Sequence, residues 1–534
     1  MTSNPDEFDY IIVGAGSAGC VVAEALSRDH DVTVCVLEAG KPDKSPEIRT
    51  PMLLHKVVGG GPYNWAYETE EQTELNDRKL YWPRGKTLGG SSSINAMHYM
   101  RGAHENFDEW GDLGADGWNW DDALARFKAM EDQQRGGDAW HGTGGPLRVE
   151  DIPKLNPLTE LYFQAGRELQ YPENPDFNGE KQIGFGPYQM TMKGPRRWSA
   201  ADAFLRPAME RDNVTVLTEA LVHRVLLDKG RAVGVELDLA GERTEISARR
   251  EVILSGGAIN SPQLLQLSGI GDADWLREAG VSVEHDLPGV GRNLQDHLDI
   301  AALMRTKSSR SIGNSWRRTP KNLADVLRWM IKGDGDFTIN PVQGGAFLNS
   351  SLAGDLPDLQ LVFIPGLSID HGRQTLFGHG VTLHVCHLYP ESRGEIRIHS
   401  DDPTAHPLID PNYLAHEGDL VALMDGLEIV QRILMAPAFD EERIEMYRPQ
   451  EVLTDRKDME AEIRARAETL YHPTSTCVMG QGEMTVVDPQ CRVHGVDGLR
   501  VVDASVMPRL VGGNTNAPTM MIAHKAAEMI RAAH

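Results

Sequence analysis

The stretch that decides the fold reads Asp9-Tyr-Ile-Ile-Val-Gly14-Ala-Gly16-Ser-Ala-Gly19, and after a helical interval it continues as Asp31-Val-Thr-Val-Cys-Val-Leu-Glu38. The β-branched apolar run predicts a buried strand, and the glycines in the order G-x-G-x-x-G predict a tight turn before a helix. A second apolar strand then ends in an acid. Strand, turn, helix, strand and acid at this spacing predict the dinucleotide-binding unit of a doubly wound α/β fold.

The three glycines have different roles in such a unit. Gly14 allows the tight turn, Gly16 leaves room for a pyrophosphate beside the backbone, and Gly19 lets the helix pack close to the strand. The free N–H groups of the helix N-terminus favour the phosphates. Glu38 is placed to accept hydrogen bonds from a ribose diol. The motif alone does not distinguish NAD from FAD, but the long chain and the second glycine-rich loop that follow it favour FAD.

The composition limits the class of protein. With 534 residues the chain is too long for one simple core, so we expect two domains or one domain with large insertions. The net charge of −25 argues against a nucleic-acid partner. The five cysteines form no C-x-x-C pair, which favours reduced thiols and a cytoplasmic setting. No Cys/His cluster has zinc spacing, and Asp108 stands where a metalloprotease motif starting at His104 needs histidine, so we expect no metal.

The sequence offers no segment that we expect to cross a membrane. No window holds the roughly eighteen uncharged apolar residues of a spanning helix, and the polar, acidic first residues do not resemble a secretory signal. We therefore expect a cytoplasmic protein, either in solution or at the cytoplasmic face of the membrane. The stretch 322–332 predicts an amphipathic helix with basic ends. For this helix we favour packing of one face on the core over contact with a membrane surface.

Other segments add elements to this framework. The stretch 84–102 places glycines and serines before an apolar helical pattern, which predicts an anion-facing loop at the start of a helix. Residues 104–131 look helical, and 214–256 alternate like the strands of a small sheet that returns to the nucleotide domain. From 298 to 465, strand-like and helix-like runs mix, which predicts an antiparallel sheet with helices. A glycine-rich return and a final helix, 519–533, follow.

Four blocks of this sequence together resemble the glucose–methanol–choline oxidoreductases, flavoenzymes that oxidise alcohols. The nucleotide loop fits, and the segment 85–95 is similar to the first signature of the family. Residues 257–271 are similar to its second signature, and the C-terminal blocks 501–508 and 514–519 resemble its flavin-ring segment. The resemblance covers nearly the whole chain. Within the family it is strongest to the choline-dehydrogenase-like branch, and there to the bacterial dehydrogenases of aliphatic alcohols.

The resemblance implies an α/β fold with a Rossmann-like FAD-binding domain and a second substrate domain made of an antiparallel sheet and helices. The FAD-binding domain would comprise residues 1–155, 196–297 and 466–534. The substrate domain would comprise 156–195 and 298–465.

The resemblance also implies a noncovalent FAD. Some relatives attach FAD through a histidine in the serine-rich loop, and the matching position here is Ile94. The neighbouring His98 is not expected to form a link. The residues that would bind the cofactor are Gly14, Gly16, Ser17, Ala18, Gly19, Glu38, Ala39, Gly89, Gly90, Ser91, Asn95, Ala96, Val222, Asp503, Ala504, Asn514, Pro518 and Thr519.

Alcohol oxidation requires a base for the hydroxyl proton and an acceptor for the hydride, which would be N5 of the flavin. From its turn-rich context alone, His472 would read as a structural histidine. The resemblance assigns it the role of catalytic base, because His-Pro followed by Thr-Cys and Met-Gly is where the family keeps that histidine. Its partner would be Asn516, 44 residues further on, with Asn514 ranked second. His297 is expected only to help pack the flavin domain.

The substrate is less clearly specified than the reaction. The choline-type pattern would place Glu where Gln343 stands, so an uncharged primary aliphatic alcohol is favoured, with Gln343, His472 and Asn516 contacting it. A quinone-type acceptor would then reoxidise the flavin. The open alternatives are an oxidase that uses O₂ with aliphatic, aryl or polyether alcohols, a choline dehydrogenase, and an FAD-containing hydroxynitrile lyase. A binding protein without turnover is a further alternative, which the pairing of His472 with Asn516 disfavours. The oligomeric state is left open.

Overall fold

The computed structural model describes residues 7–313, 315, 319–374 and 376–533, and two seven-stranded sheets organise it. In chain order the strands used below are β1 (Glu7–Val13), β2 (Val34–Glu38), β3 (Gly184–Pro187), β4 (Val214–Thr218), β5 (Ala220–Asp228), β6 (Arg231–Leu239), β7 (Glu242–Leu254), β8 (Leu298–Thr306), β9 (Gly344–Leu348), β10 (Leu359–Ile364), β11 (Gly380–His387), β12 (Arg443–Arg448), β13 (Glu468–Thr469) and β14 (Leu499–Val501).

Helices cover both sheets. In chain order the longer ones are α1 (Ser17–Leu26), α2 (His104–Asp112), α3 (Trp120–Met130), α4 (Pro157–Glu168), α5 (Gly257–Leu267), α6 (Ala273–Glu278), α7 (Thr319–Lys332), α8 (Glu417–Leu434), α9 (Arg456–Arg466) and α10 (Asn516–Ala533).

The first sheet carries the predicted nucleotide unit at its centre. Its strand order is β4-β2-β1-β7-β6-β5, with β14 paired to β7. Strands β4, β2, β1, β7 and β14 run parallel, and β5 and β6 continue the sheet as an antiparallel extension. After Glu7 every residue of β1 is buried, as expected for a parallel strand with both faces covered. The strands predicted over 214–256 therefore belong to this same sheet.

The second sheet is antiparallel and confirms the predicted architecture of the substrate domain. Its order is β12-β8-β11-β10-β9-β3, with β13 paired to β8. Helix α8 packs on β11 through a largely apolar face that includes Leu423, Leu427 and Val430. The predicted boundaries between the two domains stay a prediction.

Two predicted helices differ in the structure. The helical pattern after the serine-rich loop forms only a 3₁₀ turn over Gly90–Ser93, after which the chain is irregular, and Met97 has φ 63°, which no right-handed helix accommodates. The helical segment 104–131 is two helices, α2 and α3, separated by Gly114 and Gly117 with positive φ. All five cysteines are buried and none forms a disulfide.

Helix α7 contradicts the expectation that the amphipathic stretch 322–332 packs its apolar face on the core. None of the side chains of α7 that the structure describes is buried. Leu323, Leu327, Met330 and Ile331 all lie among the exposed large apolar residues. Within the described residues, no helix is long and apolar enough to span a bilayer.

Candidate active site

A cavity of about 1230 Å³ connects the glycine turn of the first sheet with the inner side of the second sheet. It brings together most of the residues predicted from the sequence. Those that line it are Gly14, Gly16, Ser17, Ala18, Glu38, Ala39, Gly90, Ser91, Asn95, Ala96, Val222, Gln343, His472, Asp503, Ala504, Asn514, Asn516 and Thr519. The predicted residues Gly19, Gly89 and Pro518 do not line it.

The glycine turn is built by close backbone contacts that leave no room for side chains. Gly14 has φ 102°, and a Cβ there would lie 2.5 Å from the carbonyl oxygen of Ser255. A Cβ on Gly19 would lie 1.9 Å from the carbonyl oxygen of Gly14, so Gly19 sets the helix against the strand from behind the cavity. At Gly16 the nearest atom to a Cβ is 3.8 Å away. Gly16 therefore lines the cavity with its backbone and leaves open the space that its own side chain would occupy.

Two helix N-termini meet at this end of the cavity. Helix α1 begins at Ser17 and helix α10 at Asn516, and the Ser17 hydroxyl donates to Oδ1 of Asn516 over 2.7 Å. Both residues line the cavity. The first N–H groups of a helix have no partner within the helix and carry its positive dipole end. The two helix ends, together with Gly16, form a favourable position for a pyrophosphate.

Two buried carboxyl groups flank this position. Glu38 accepts hydrogen bonds from the backbone N–H groups of Ala15 and Gly40, at 3.0 and 2.8 Å, and burial raises its pKa to about 7. Asp503 links the sequence block 501–508 to the block 257–271. Its Oδ2 accepts hydrogen bonds from the Gly257 N–H over 2.8 Å and from the Ser261 hydroxyl over 2.6 Å. Burial also raises the pKa of Asp503.

His472 lies at the other end of the cavity, and Asp296 fixes its backbone. Oδ1 of Asp296 accepts the His472 N–H over 2.7 Å, while Oδ2 accepts the hydroxyls of Thr469, at 2.6 Å, and Tyr413. The preceding residue, Tyr471, has φ 72°, so the chain turns sharply here and presents the imidazole to the cavity.

A chain of hydrogen bonds assigns the protons of the imidazole. Nε2 of His297 contacts the carbonyl oxygen of Leu388 over 3.0 Å, and a carbonyl only accepts, so this nitrogen carries the proton. Burial lowers the pKa of His297 to about 3, which keeps the ring neutral and leaves Nδ1 as an acceptor. Nδ1 of His472 lies 2.9 Å from that acceptor and must donate to it. Nε2 of His472 is therefore unprotonated.

Asn514, rather than Asn516, contacts the imidazole. Its Nδ2 donates to Nε2 of His472 over 3.0 Å, and its Oδ1 accepts from Nε2 of Gln360 over 3.1 Å, which fixes the orientation of the amide. Asn516, which the sequence ranked first, is held at the start of α10 by Ser17. Residues 510–515 form an irregular loop with bends at 512, 513 and 515, so Asn514 and Asn516, although only two residues apart, point to different parts of the cavity.

The surroundings of His472 favour its neutral form. Burial lowers its pKa well below 6.5, and the nearby positive charge of Arg84 acts in the same direction. Arg84 is itself held by the carbonyl oxygen of Tyr471 over 2.7 Å. A neutral imidazole whose Nε2 is unprotonated can accept a proton from a hydroxyl group that enters the cavity.

Several residues of the site could not be found from the sequence. Asp296 and His297 together hold the backbone and the ring of His472, yet nothing in their spacing to His472 indicates it. Gln360, on β10, orients Asn514. His98 lines the cavity with a buried ring whose Nε2 has no partner among the described residues, and burial lowers its pKa to about 4.

The predicted substrate residue Gln343 is engaged by the protein. Its Oε1 accepts from the backbone N–H of Asn156 over 2.7 Å and from the hydroxyl of Thr159 over 3.0 Å, at the start of α4. It lines the cavity, but its carbonyl group is already satisfied. Two acids, the buried Asp299 and the half-buried Glu468, also line the cavity. Asp299 pairs with Nδ1 of His384 over 2.6 Å, and burial raises the pKa of Glu468 to about 7.

One group in the described residues has the composition of a metal site. Asp370, His371 and Glu468 place their ligand atoms within 4.8 Å of one another. Both ring nitrogens of His371 are engaged, because Nε2 lies 3.2 Å from Glu468 and Nδ1 lies 2.6 Å from the Tyr471 hydroxyl. Burial lowers the pKa of His371 to about 4, so these contacts account for the cluster as a neutral histidine held between an acid and a tyrosine.

Comparison with known proteins gives consistent matches over nearly the whole chain. Two models of the GMC oxidoreductase family match it, one over residues 8–299 and the other over residues 390–523. An alcohol dehydrogenase [acceptor] from Pseudomonas putida is 46% identical over 526 residues, which is 98% of this chain and 95% of that protein. Human mitochondrial choline dehydrogenase is 42% identical over 536 residues, 98% of this chain and 90% of that protein.

Solved structures show the same fold. Pyridoxine 4-oxidase from Mesorbium loti superimposes with a TM-score of 0.90 at 32% identity, covering 99% of this chain and 100% of that one. Formate oxidase from Aspergillus oryzae, in a study of its FAD modification, superimposes with a TM-score of 0.93 at 28% identity, covering 100% of this chain and 99% of that one.

Proposed function

Because the chain belongs to the GMC oxidoreductases and uses FAD, we propose that it oxidises a primary, uncharged aliphatic alcohol to the aldehyde. The observation that carries the proposal is the pair formed by His472 and Asn514. The amide N–H of Asn514 donates to the unprotonated Nε2 of His472, so a hydrogen-bond donor and a base face each other in a largely apolar cavity. A hydroxyl group placed between them would meet a base and a hydrogen-bond donor together.

The residues at the glycine turn fit FAD. Gly16 and the N-termini of α1 and α10 leave a backbone-lined position for the pyrophosphate, and Glu38 lies beside it at the end of β2. Val222 also lines the cavity and would face the adenine, and Gly90, Ser91 and Asn95 line it as further candidate contacts of the cofactor. When bound, FAD supplies the acceptor for the hydride that leaves the alcohol carbon.

The chain's own residues would handle the hydroxyl group. The substrate oxygen would replace the hydrogen bond between Asn514 and His472, so that Nε2 of His472 takes the hydroxyl proton and becomes part of an imidazolium. Nδ2 of Asn514 would donate to the oxygen while negative charge develops on it. His297 would act as a positioning residue that keeps Nδ1 of His472 protonated. We assign the partner role to Asn514 ahead of Asn516, whose contacts belong to the cofactor end.

An aliphatic chain would find apolar surroundings on the second sheet. The cavity lining there includes Ile300, Leu303, Val362, Ile364 and Leu367. Burying methylene groups against such side chains stabilises binding by about 0.8 kcal/mol each. Gln343 carries no charge and its carbonyl group is already bonded, so it offers no counter-ion for a quaternary ammonium.

One observation favours a second candidate, a choline-type substrate. Oδ1 of the buried Asp299 has no partner among the described residues, and this carboxylate lines the cavity. A buried carboxylate attracts a cation more strongly than an exposed one, because its surroundings screen charge poorly. Its other oxygen is taken by His384, which partly neutralises it. This pairing is why we rank the uncharged alcohol first.

For the electron acceptor we propose a quinone, with the protein working at the cytoplasmic face of the membrane. The support for an acceptor of this kind is the 46% identity to an enzyme named alcohol dehydrogenase [acceptor]. An oxidase would instead release peroxide in air. A hydroxynitrile lyase would bind FAD but would not reduce it with any alcohol.

The test is the visible spectrum of the purified holoenzyme, mixed without air with 1-hexanol and, separately, with choline. We expect 1-hexanol to remove the flavin absorbance and choline to leave it unchanged. If choline alone removes it, and Asp299→Asn abolishes that response, the second candidate is correct. If neither alcohol acts, the proposed activity is wrong. Peroxide formation in air with 1-hexanol would mean that the electron acceptor is O₂ and not a quinone.

A further inference from the structure

Helix α7 presents a continuous apolar stripe to solvent. Leu323, Leu327, Met330 and Ile331 stand at positions i, i+4, i+7 and i+8, so they lie on one face. Their exposed fractions are 62%, 50%, 69% and 79%. Scattered exposed apolar residues are ordinary, but four large ones on a single helical face form a patch that proteins use for binding.

The opposite face attaches the helix to the protein. The Trp329 ring stacks on the Phe337 ring with centroids 6.0 Å apart, and Val326 is half-buried. Arg328 pairs with Asp334 over 2.6 Å and ties the end of the helix to the following turn. The helix is thus held with its apolar stripe turned outward, which is the reverse of the usual arrangement of an amphipathic surface helix.

The charge of this segment is opposite to that of the rest of the chain. Between residues 317 and 332 the sequence contains five basic residues, Arg317, Arg318, Lys321, Arg328 and Lys332, and one acidic residue, Asp325. The whole chain has a net charge of −25. A basic segment with an exposed apolar stripe on a strongly acidic protein is complementary to an anionic, apolar surface. The anionic lipids of a bilayer supply both properties.

The patch also adjoins the cavity that holds the candidate active site. Asp325 of α7 lines this cavity, and so do Asp336 and Phe337 of the turn that follows the helix. A surface on which α7 lies would therefore be next to the opening of the cavity. Apolar alcohols and quinones both partition into lipid, so this position would shorten their path to the site.

From these observations we propose that α7 lies in the interface of an anionic lipid bilayer, with Leu323, Leu327, Met330 and Ile331 inserted among the lipids. The bilayer docks the protein peripherally and places the cavity opening at the lipid surface. Docking itself does not depend on the identity of the alcohol. Its benefit to catalysis rests on the proposed function, with a lipid-borne acceptor.

The experiment is sedimentation of the holoenzyme with vesicles of phosphatidylcholine alone or with about one third phosphatidylglycerol. We expect binding to the mixed vesicles, at least tenfold weaker binding to phosphatidylcholine alone, and weakening by salt. The double variant Leu327→Ser/Ile331→Ser should reduce binding to the mixed vesicles at least tenfold. The control Leu113→Ser/Ile444→Ser removes two similarly exposed apolar residues elsewhere and should bind as the wild type does.

Turnover with a water-soluble dye separates this inference from the proposed function. Both double variants should oxidise the alcohol at the wild-type rate with the dye, because Leu327 and Ile331 do not line the cavity. Absence of vesicle binding by an active wild-type enzyme, or equal binding by both double variants, would overturn the docking proposal. A wild-type dimer that Leu327→Ser/Ile331→Ser converts to a monomer would show that α7 contacts a second copy instead. If the wild-type enzyme binds the mixed vesicles but does not oxidise the alcohol with the dye, only the proposed function is contradicted.

Discussion

The two ends of the cavity are built in different ways. At the glycine end, one short segment forms the turn and the start of α1, and backbone atoms, including the carbonyl oxygen of Ser255, exclude side chains at Gly14 and Gly19. At the His472 end the contacts come from side chains on distant segments. His297 precedes His472 by 175 residues, and Gln360 precedes Asn514 by 154. The turn at the glycine end is determined largely by local sequence, whereas the His472 end forms only when distant segments come together in the folded chain.

Because the two ends differ in this way, we expect substitutions at the glycine end to change the affinity for FAD and substitutions at the His472 end to change the rate of turnover. A change at the glycine end alters how closely a phosphate group approaches the backbone, so it should alter the affinity for FAD. A change at the His472 end alters proton transfer and leaves the cofactor contacts untouched, so it should alter turnover while FAD stays bound. Each substitution below tests whether the two ends are separable in this way.

We expect the largest effect from His472→Ala. Removing the base should lower the rate at which the alcohol reduces the flavin by roughly 10²–10⁴-fold, because Nε2 of His472, which Asn514 contacts, is the acceptor of the hydroxyl proton in the proposed mechanism. The FAD content should equal that of the wild type, measured by absorbance after gel filtration. His98→Ala, which removes the other buried histidine of the cavity, serves as the comparison. Near-normal flavin reduction by His472→Ala would contradict the role of His472 as the catalytic base.

The two asparagines offer the most direct comparison between the ends. Asn514→Ala should lower flavin reduction by about 10²-fold, the order expected for loss of one donor to a developing oxyanion, with FAD retained. Asn516→Ala should instead weaken FAD retention, since its contact is with Ser17 at the start of α1. The measurements are single-turnover rates and FAD content on both variants. If Asn516→Ala slows flavin reduction while Asn514→Ala weakens FAD retention, Asn516 is the partner of His472.

The glycine end was predictable because its determinants are local. Strand β1, the turn and helix α1 follow from apolar periodicity and from Gly14, Gly16 and Gly19, and the structure places them as expected. The antiparallel sheet of the second domain was predictable for the same reason. Its strands β8 to β12 lie within 298–465, the range over which strand-like and helix-like runs were expected.

The His472 end was predictable only in part, because a sequence does not give distances between remote residues. His472 itself followed from a motif, but the choice between Asn514 and Asn516 depended on how an irregular loop enters α10. His297 was expected only to help pack the domain, although it holds the imidazole. The outward apolar face of α7 was missed for a related reason. Periodicity shows that a helix has an apolar face but not which way the face points.

A pair of glycine substitutions should have intermediate effects. Gly16→Ala has room for its Cβ, so the protein should fold with unchanged Tm, yet the methyl group would enter the position of the pyrophosphate and weaken FAD binding about tenfold. Gly19→Ala places its Cβ 1.9 Å from the carbonyl oxygen of Gly14 and should destabilise the fold by roughly 1–3 kcal/mol. Thermal unfolding and FAD titration distinguish the two. Equal losses of Tm would mean that Gly16 is also a packing residue.

The smallest effect, and the sharpest test of the hydrogen-bond chain, concerns His297. In the wild type, burial lowers the pKa of His472 below 6.5, so the base is unprotonated at neutral pH. We therefore expect kcat/KM to stay level from about pH 7 to 8 and to fall only as the pH drops through that lowered pKa, because protonation of Nε2 removes the acceptor.

His297→Leu removes the acceptor for the Nδ1 proton of His472, so the protonated nitrogen is no longer fixed and kcat/KM should fall about tenfold across the level region. His297→Asn can present its Oδ1 where the imidazole presents Nδ1, and it should recover most of that loss. A purely structural role would predict similar losses in both variants, with matching decreases in Tm. Recovery by asparagine but not leucine would therefore show that the far end of the cavity depends on one oriented hydrogen bond, where the glycine end depends on the absence of side chains.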